Sequence, residues 1–86
     1  MRLVFTNRGW DDYQWFVERE RKLSKRINAL VKDIMRSPFE GIGKPEPLKA
    51  DLSGYWSRRI NDEHRLVYAV RGGDLLIVAC RYHYSE

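Results

Sequence analysis

The sequence predicts an α+β fold: an N-terminal strand, two helices and then a three-stranded antiparallel meander, with the helices packed on a twisted sheet. Three observations predict it. Apolar residues recur at helical spacing in the first half of the chain, β-prone runs separated by turn residues fill the last third, and one short β-prone run precedes the helices. A chain of 86 residues has room for one hydrophobic core, so we expect a single domain over residues 1–86.

The first two elements are a strand and a helix. The segment from Arg2 to Thr6 is short and rich in β-prone residues, which indicates a strand. From Asn7 to Glu20 the spacing is helical, with Asn7 as the predicted N-cap and with Asp11 and Asp12 near the end of the helix dipole that favours negative charge. The aromatic and apolar stripe of this helix consists of Trp10, Tyr13, Phe16 and Val17.

A second helix and a long loop follow. From Lys22 to Arg36 an apolar stripe recurs at helical spacing, and Ser37-Pro38 ends the helix. The segment from Pro38 to Gly54 contains all three prolines and three of the six glycines, so we expect an ordered loop that carries Lys44 to Lys49.

The meander is predicted from three strand-like runs, Tyr55 to Ile60, His64 to Arg71 and Leu75 to Tyr82. They are joined by a three-residue loop at Asn61 to Glu63 and by a two-residue turn at Gly72-Gly73. This register places Arg59 opposite Arg65 and Cys80 opposite Arg65, while the other face carries Trp56, Arg58, Ile60, Leu66, Tyr68 and Val70. Because like charges directly opposite each other are destabilising, the arginine pair predicts an anion between them.

The same end of the sheet receives the C-terminal residues. Strict alternation places Tyr82 and Tyr84 on the arginine face and His83 on the opposite face, so His83 joins this cluster only if the strand ends or twists there. The ordinary interpretation of Arg58, Arg59 and Arg65 on a half-exposed sheet is that they are solvated or paired with Asp62 and Glu63.

The formal charge of +4 favours an anionic partner, either nucleic acid or an acidic protein. Eleven of the sixteen basic residues are arginines, whose planar guanidinium pairs well with phosphate and carboxylate. The apolar runs, such as Leu75 to Cys80, are far too short for a membrane helix, so we expect a cytoplasmic protein without membrane contact. With a single cysteine, two histidines and no Cys-x-x-Cys pair, we expect neither a metal nor another cofactor.

A metal-free ribonuclease needs a base for the ribose 2′-hydroxyl, a cation for the charge on phosphorus and an acid for the leaving oxygen. Glu46, Arg65 and His83 could supply these three functions. Glu46 and His83 also have interpretations that involve no catalysis. Glu46 could be a solvated loop carboxylate, and His83 could be a frayed terminal residue. The remaining residues of interest read as structural, with the three tryptophans in the core, Cys80 a buried thiol and His64 in a local structural role.

Five blocks of the sequence follow one another at close spacing: Pro38-Phe39-Glu40-Gly41, Gly43-Lys44-Pro45-Glu46-Pro47-Leu48-Lys49, Leu52-Ser53-Gly54-Tyr55-Trp56-Ser57-Arg58-Arg59-Ile60, Glu63-His64-Arg65-Leu66-Val67-Tyr68 and Ala79-Cys80-Arg81-Tyr82-His83-Tyr84. In this order these blocks resemble the YoeB (Txe) toxins of the RelE/ParE superfamily, and the resemblance covers essentially the whole chain. The resemblance implies a bacterial mRNA interferase that enters the ribosomal A site and cleaves the mRNA being translated. It also implies a small α/β fold with helices packed on a twisted antiparallel sheet.

The resemblance further implies roles for matching residues and a set of partners. Glu46 would be the general base, His83 the general acid and Arg65 the stabiliser of the phosphorane-like transition state. Lys49 and Arg59 would support the substrate and its phosphate, and Tyr84 would orient the scissile nucleotide. The family implies a homodimer and a YefM-like antitoxin, in addition to the ribosome and mRNA.

Two other functions remain open from the residues alone. One is a noncatalytic inhibitor of gyrase, as ParE-like relatives of this fold are, which would need no acid–base pair. The other is a plain RNA-binding module, whose affinity would fall steeply with salt and would depend on aromatic side chains more than on Glu46.

Overall fold

Two helices pack on one face of a five-stranded mixed sheet whose strand order is β1-β5-β4-β3-β2. The computed structural model describes residues 1–82. Its elements, in chain order, are β1 Arg2–Phe5, α1 Asn7–Arg19, α2 Arg21–Arg36, β2 Glu46–Pro47, a 3₁₀ helix at Ala50–Leu52, β3 Trp56–Arg59, β4 Arg65–Arg71 and β5 Asp74–Ala79. Neither helix in this part of the chain is long and apolar enough to cross a membrane.

The predicted α+β order is confirmed, with one strand pairing and one additional strand that the sequence did not predict. β1 pairs in parallel with β5, so the N-terminal strand forms one edge of the sheet. The loop predicted from Pro38 to Gly54 contains β2, which pairs antiparallel with β3 and forms the other edge. Glu46 therefore lies in an edge strand and not in a loop, and Pro47 is tolerated there because an edge strand leaves one side of its backbone unpaired.

Helix α1 begins one residue earlier than predicted. Thr6, and not Asn7, is the N-cap: its backbone is extended and its hydroxyl accepts a hydrogen bond from the Gly9 N–H at 3.0 Å. The same hydroxyl lies 3.0 Å from the Val78 carbonyl, to which it can donate. Gly9 is required because a Cβ there would lie 2.4 Å from the Ile77 carbonyl oxygen. The start of α1 is therefore held closely against β5.

The core lies between the helices and the sheet. Its fully buried side chains come from both layers and include Phe16, Ile27, Leu30, Ile34, Leu66, Tyr68, Leu75 and Ile77. Of the three tryptophans predicted to be core residues, Trp15 and Trp56 are partly buried against this cluster. Trp10 is 49% exposed and packs at the surface against Phe5 and Tyr13, so the core prediction was wrong for it.

The meander register is confirmed for β3 and β4, where Arg59 pairs with Arg65. Between β4 and β5 the predicted register holds from Arg71 to Tyr68, and then a β-bulge shifts it so that Val67 pairs with Ala79. A bulge places an extra residue in one strand, so Cys80 does not stand opposite Arg65 as predicted. β5 also ends at Ala79, three residues earlier than the predicted run.

Candidate functional site

The side of the sheet away from the helices, here called the open face, carries Glu46, Ser57, Arg59, Arg65 and Val67. These residues share a face because directly paired residues point to the same side of a sheet and alternate residues along a strand do so too. The neighbouring positions Trp56, Leu66 and Tyr68 point the other way, into the core. Three of the predicted site residues are thus brought onto one surface.

Arg59 and Arg65 are direct cross-strand partners on the open face. The Arg65 guanidinium Nη1 donates to the backbone carbonyls of Asn61, at 2.7 Å, and His64, at 3.1 Å. These bonds fix the guanidinium against the loop that joins β3 to β4. Two like charges held side by side create a local positive potential, which is suited to an anion such as phosphate.

Glu46 lies one row away from this arginine pair. It is the direct partner of Ser57, and Ser57 is two residues before Arg59 on β3. Strand geometry places Glu46 and Arg59 about 7 Å apart along the strands and about 5 Å apart across them. Glu46 is exposed, so its carboxylate and the Arg59 guanidinium can both reach a ligand lying on the open face. A carboxylate and two guanidiniums around one anion can combine proton removal with charge stabilisation.

The chain around Glu46 is fixed by its backbone hydrogen bonds. The Leu48 N–H donates to the Tyr55 carbonyl at 2.9 Å, and the Arg59 N–H donates to the Gly43 carbonyl at 2.7 Å. Gly43 has a φ of 80°, a conformation that favours glycine, at the bend that brings the chain to the sheet edge. Lys49, the predicted substrate-binding lysine, lies two residues after β2, is exposed and immediately precedes the 3₁₀ helix.

Arg58 was expected to be solvated or paired with Asp62 and Glu63, and this prediction was wrong. Its side chain is 0% exposed and forms an ion pair with Asp33 of α2. It also donates to three backbone carbonyls and to the Tyr68 hydroxyl: Ser37 at 2.7 Å, Glu40 and Ile42 at 3.1 Å, and Tyr68 at 3.3 Å. The alternation of the sequence had already placed Arg58 on the apolar face, and an arginine among core residues indicates a buried partner.

This network lowers the pKa of the Asp33 carboxylate at its centre, and it holds the chain segment that precedes Glu46. Hydrogen bonds from Arg58, then from Arg36 and from the Ile42 N–H, lower the pKa of Asp33 to about 2. The Tyr68 hydroxyl donates to the Pro38 carbonyl at 2.7 Å, and burial raises the pKa of Tyr68. Residues 37–43 are therefore held on the helix side, immediately before the chain turns toward Glu46.

The C-terminal part of the described chain returns to the start of β4. The Tyr82 N–H donates to His64 Nδ1 at 2.8 Å, and the Arg65 N–H donates to the Tyr82 carbonyl at 3.2 Å. His64 is buried, which confirms its structural role. The predicted site residues His83 and Tyr84 lie outside the described residues.

Cys80 is fully buried, as predicted. Burial raises the pKa of its thiol to about 12, and the nearby Asp12 carboxylate adds to the effect. Its N–H donates to Asp12 at 3.1 Å. Residues 1–82 contain no group of three or more His, Cys, Asp or Glu side chains that could hold a metal ion.

Among the described residues, surface depressions also occur outside the arginine cluster. A pocket of about 260 Å³ beside Val67 is lined by Asp51, Leu52, Tyr55 and Val78. An apolar groove of about 520 Å³ between β1 and the two helices is lined mainly by Leu3, Phe5, Trp10, Tyr13, Val31 and Met35. Leu3, Trp10 and Met35 are among the exposed large apolar side chains of the molecule.

The sequence model of a family described as the YoeB-like toxin of bacterial type II toxin-antitoxin systems matches residues 5–84. The chain belongs to this family. It is 64% identical to a Toxin YoeB from Synechocystis sp. over 86 residues, which are 100% of both chains. It is 60% identical to the Toxin YoeB of Escherichia coli K12 over 84 residues, which are 98% of this chain and 100% of that relative. The chain is thus a toxin of a type II toxin-antitoxin system.

Solved structures of relatives have the same fold. The YoeB/ParE toxin from Agrobacterium tumefaciens superposes with a TM-score of 0.95 at 49% identity, covering 98% of this chain and 100% of that chain. A YoeB dimer and a YoeB-YefM complex, both from Staphylococcus aureus, superpose with TM-scores of 0.91 and 0.90 at 48% identity, each covering 98% of both chains. The family and the α+β fold class predicted from the sequence are both confirmed.

Proposed function

We propose that this toxin is a metal-free endoribonuclease that enters the ribosomal A site and cleaves the mRNA being translated. The observation that carries the proposal is the open face, where Arg59 pairs with Arg65 and Glu46 lies in the adjacent row. A phosphodiester bound between the two arginines would have its charge neutralised and its ribose within reach of a carboxylate. A noncatalytic inhibitor would have no use for that combination.

The proposed reaction is an internal transesterification. Glu46 removes the proton from the ribose 2′-hydroxyl, and the resulting oxygen attacks the adjacent phosphorus. Arg65 stabilises the negative charge that builds on the phosphoryl oxygens, with Arg59 and Lys49 holding the substrate phosphates. His83 donates a proton to the departing 5′-oxygen, while Tyr84 orients the scissile nucleotide. The products are a 2′,3′-cyclic phosphate and a free 5′-hydroxyl.

The proposed partners are a YefM-like antitoxin, a second copy of this chain, the ribosome and mRNA in the bacterial cytoplasm. Solved structures of relatives that are 48% identical support the antitoxin and the second copy as partners, because one is a YoeB-YefM complex and another is a YoeB dimer. The exposed apolar groove beside β1 supports a protein partner, since contiguous apolar patches on a small protein commonly mark interaction surfaces. The net charge of +4 supports binding to RNA or to an acidic protein segment.

The test is to map mRNA 5′ ends in a bacterial translation extract that contains the toxin, its Glu46→Gln variant or a matched Glu18→Gln control. Glu18 is exposed on α1, on the helix side of the sheet, so its replacement changes the net charge equally without touching the open face. We expect new ends within translated codons for the toxin and the control. We expect Glu46→Gln to cut about 100-fold more slowly or worse, which is the usual cost of losing a general base.

Three results would contradict the proposal. Cleavage by Glu46→Gln at the normal rate would remove Glu46 from the mechanism. Stalled translation without new ends would indicate ribosome binding without chemistry. Uninterrupted translation together with loss of DNA supercoiling activity in a purified gyrase assay would favour the gyrase-inhibitor function.

A further inference from the structure

We propose that His64 is a positioning residue for this reaction: its Nδ1 holds the backbone of Tyr82, the residue that precedes His83 in the sequence. This inference rests on the proposed function, in which His83 is the general acid. His64 itself is 4% exposed and lies beneath the surface, so it acts through Tyr82 and not on the substrate.

Tyr82 is held at both of its backbone polar groups. Its N–H donates to His64 Nδ1 at 2.8 Å, and its carbonyl accepts from the Arg65 N–H at 3.2 Å. β5 has already ended at Ala79, so these bonds are not the continuation of a strand ladder. Tyr82 has a φ of 68°, which a residue with a side chain adopts only where its surroundings dictate it. This two-point attachment is the last described contact before His83.

The His64 ring is itself fixed in place. It packs edge-on against Phe16 of α1, with ring centroids 5.0 Å apart, and in a tilted arrangement against the Tyr82 ring, with centroids 5.4 Å apart. The backbone N–H of His64 donates to the Asn61 side-chain oxygen at 2.7 Å, which holds the residue that carries the ring. Since Nδ1 accepts from Tyr82, the ring proton resides on Nε2, which lies 3.5 Å from a Glu63 carboxylate oxygen.

The attachment of Tyr82 also involves Arg65, the proposed transition-state cation. Arg65 contributes its N–H to Tyr82 while its guanidinium donates to the carbonyls of Asn61 and His64. The cation and the Tyr82 peptide are therefore both held by residues of the five-residue stretch from Asn61 to Arg65. Because Tyr82 is bonded directly to His83, we expect loss of its attachment to disturb the placement of the general acid, and misplacement of about 1 Å can cost about 100-fold in rate.

Three substitutions of His64 separate the role of Nδ1 from that of the ring. His64→Asn keeps an acceptor oxygen at the position of Nδ1, His64→Gln moves it to the position of Nε2, and His64→Leu removes it. On ribosomes programmed with a defined message, we expect His64→Leu and His64→Gln to lose about 10- to 100-fold in kcat with KM within about twofold. We expect His64→Asn to stay within about threefold of the unsubstituted toxin in kcat.

Ile34→Val serves as the stability control, because it removes one methyl group from the core beneath α2 and leaves the Tyr82 attachment intact. It should lower the melting temperature while keeping kcat. The Tyr82 amide provides a second measurement: its hydrogen exchange should accelerate in His64→Leu and His64→Gln but not in His64→Asn.

The possible results distinguish this inference from the proposed function. An active toxin whose His64→Leu variant keeps its kcat overturns the positioning role alone. Equal loss of kcat in all three variants would also overturn the positioning role alone, because the acceptor at Nδ1 would then not account for the loss of kcat. If the unsubstituted toxin cuts no message, the proposed function fails, and the positioning role fails with it.

Discussion

Replacing Arg58 by methionine tests the buried network that holds the segment before Glu46. The guanidinium is fully buried and donates to the Asp33 carboxylate, to three backbone carbonyls and to the Tyr68 hydroxyl. Methionine fills part of the same volume but donates no hydrogen bond. Asp33 would keep Arg36 and the Ile42 N–H as donors but lose Arg58, and the three backbone carbonyls would lose a buried hydrogen-bond donor.

The expected loss is large for a domain of this size. Removing one partner of a buried ion pair costs about 3–5 kcal/mol of unfolding free energy. The total for a native domain is about 5–15 kcal/mol. In a domain of fewer than about 100 residues, each kcal/mol lowers the melting temperature by about 4–8 °C, so we expect Arg58→Met to lower it by at least about 12 °C.

The assay is urea unfolding followed by tryptophan fluorescence and far-UV circular dichroism, with Arg59→Met as the control. Arg59 is the next residue but lies exposed on the open face, so its replacement should change stability by less than about 0.5 kcal/mol. Combining Arg58→Met with Asp33→Asn should cost about 0.5–3 kcal/mol less than the sum of the two, because they share one interaction. A loss below about 1 kcal/mol for Arg58→Met, or an equal loss for Arg59→Met, would refute the reasoning.

Two further predictions concern titratable groups. Because its donors lower the pKa of Asp33 from 3.8 to about 2, the stability contributed by its ionised form is complete above about pH 4 and lost as the pH falls through about 2. Asp33→Asn should therefore flatten the decline of unfolding free energy between pH 4 and 2, and an unchanged slope in acid titration would contradict the assignment. Because burial raises the pKa of Cys80 from 9.0 to about 12, its thiol should react with iodoacetamide at pH 8 at least about 100-fold more slowly when folded than in guanidinium. Rapid stoichiometric alkylation of the folded chain would disagree with that burial.

Adjacent arginines on β3 serve opposite sides of the sheet. Arg58 points into the core and supports the segment that precedes Glu46, whereas Arg59 points to the open face beside Arg65. The period of two along a strand is the reason, since neighbouring side chains emerge on opposite faces. Substitutions of these two residues should therefore separate loss of stability from loss of activity.

The elements that the sequence predicted correctly depend on local patterns. The helical stripe of α2 and the pairing of Arg59 with Arg65 both follow from the spacing of nearby apolar residues and from one short connecting loop. Glu46 and Arg65 were candidates from their side-chain chemistry, and Arg59 came from the strand register beside Arg65. The family resemblance added their specific roles, and the observed register brings all three onto one face.

The sequence alone therefore determined the fold class, the family and the arginine pair on the open face. The tertiary structure decided the features whose partners are distant in sequence: the parallel pairing of β1 with β5, the bulge at Val67, the exposure of Trp10 and the pairing of Arg58 with Asp33. The physical reason is that periodicity specifies which face a side chain occupies but not what covers that face. Arg58 had the correct face in the sequence, and only the packing of α2 supplied the carboxylate that makes its burial stable.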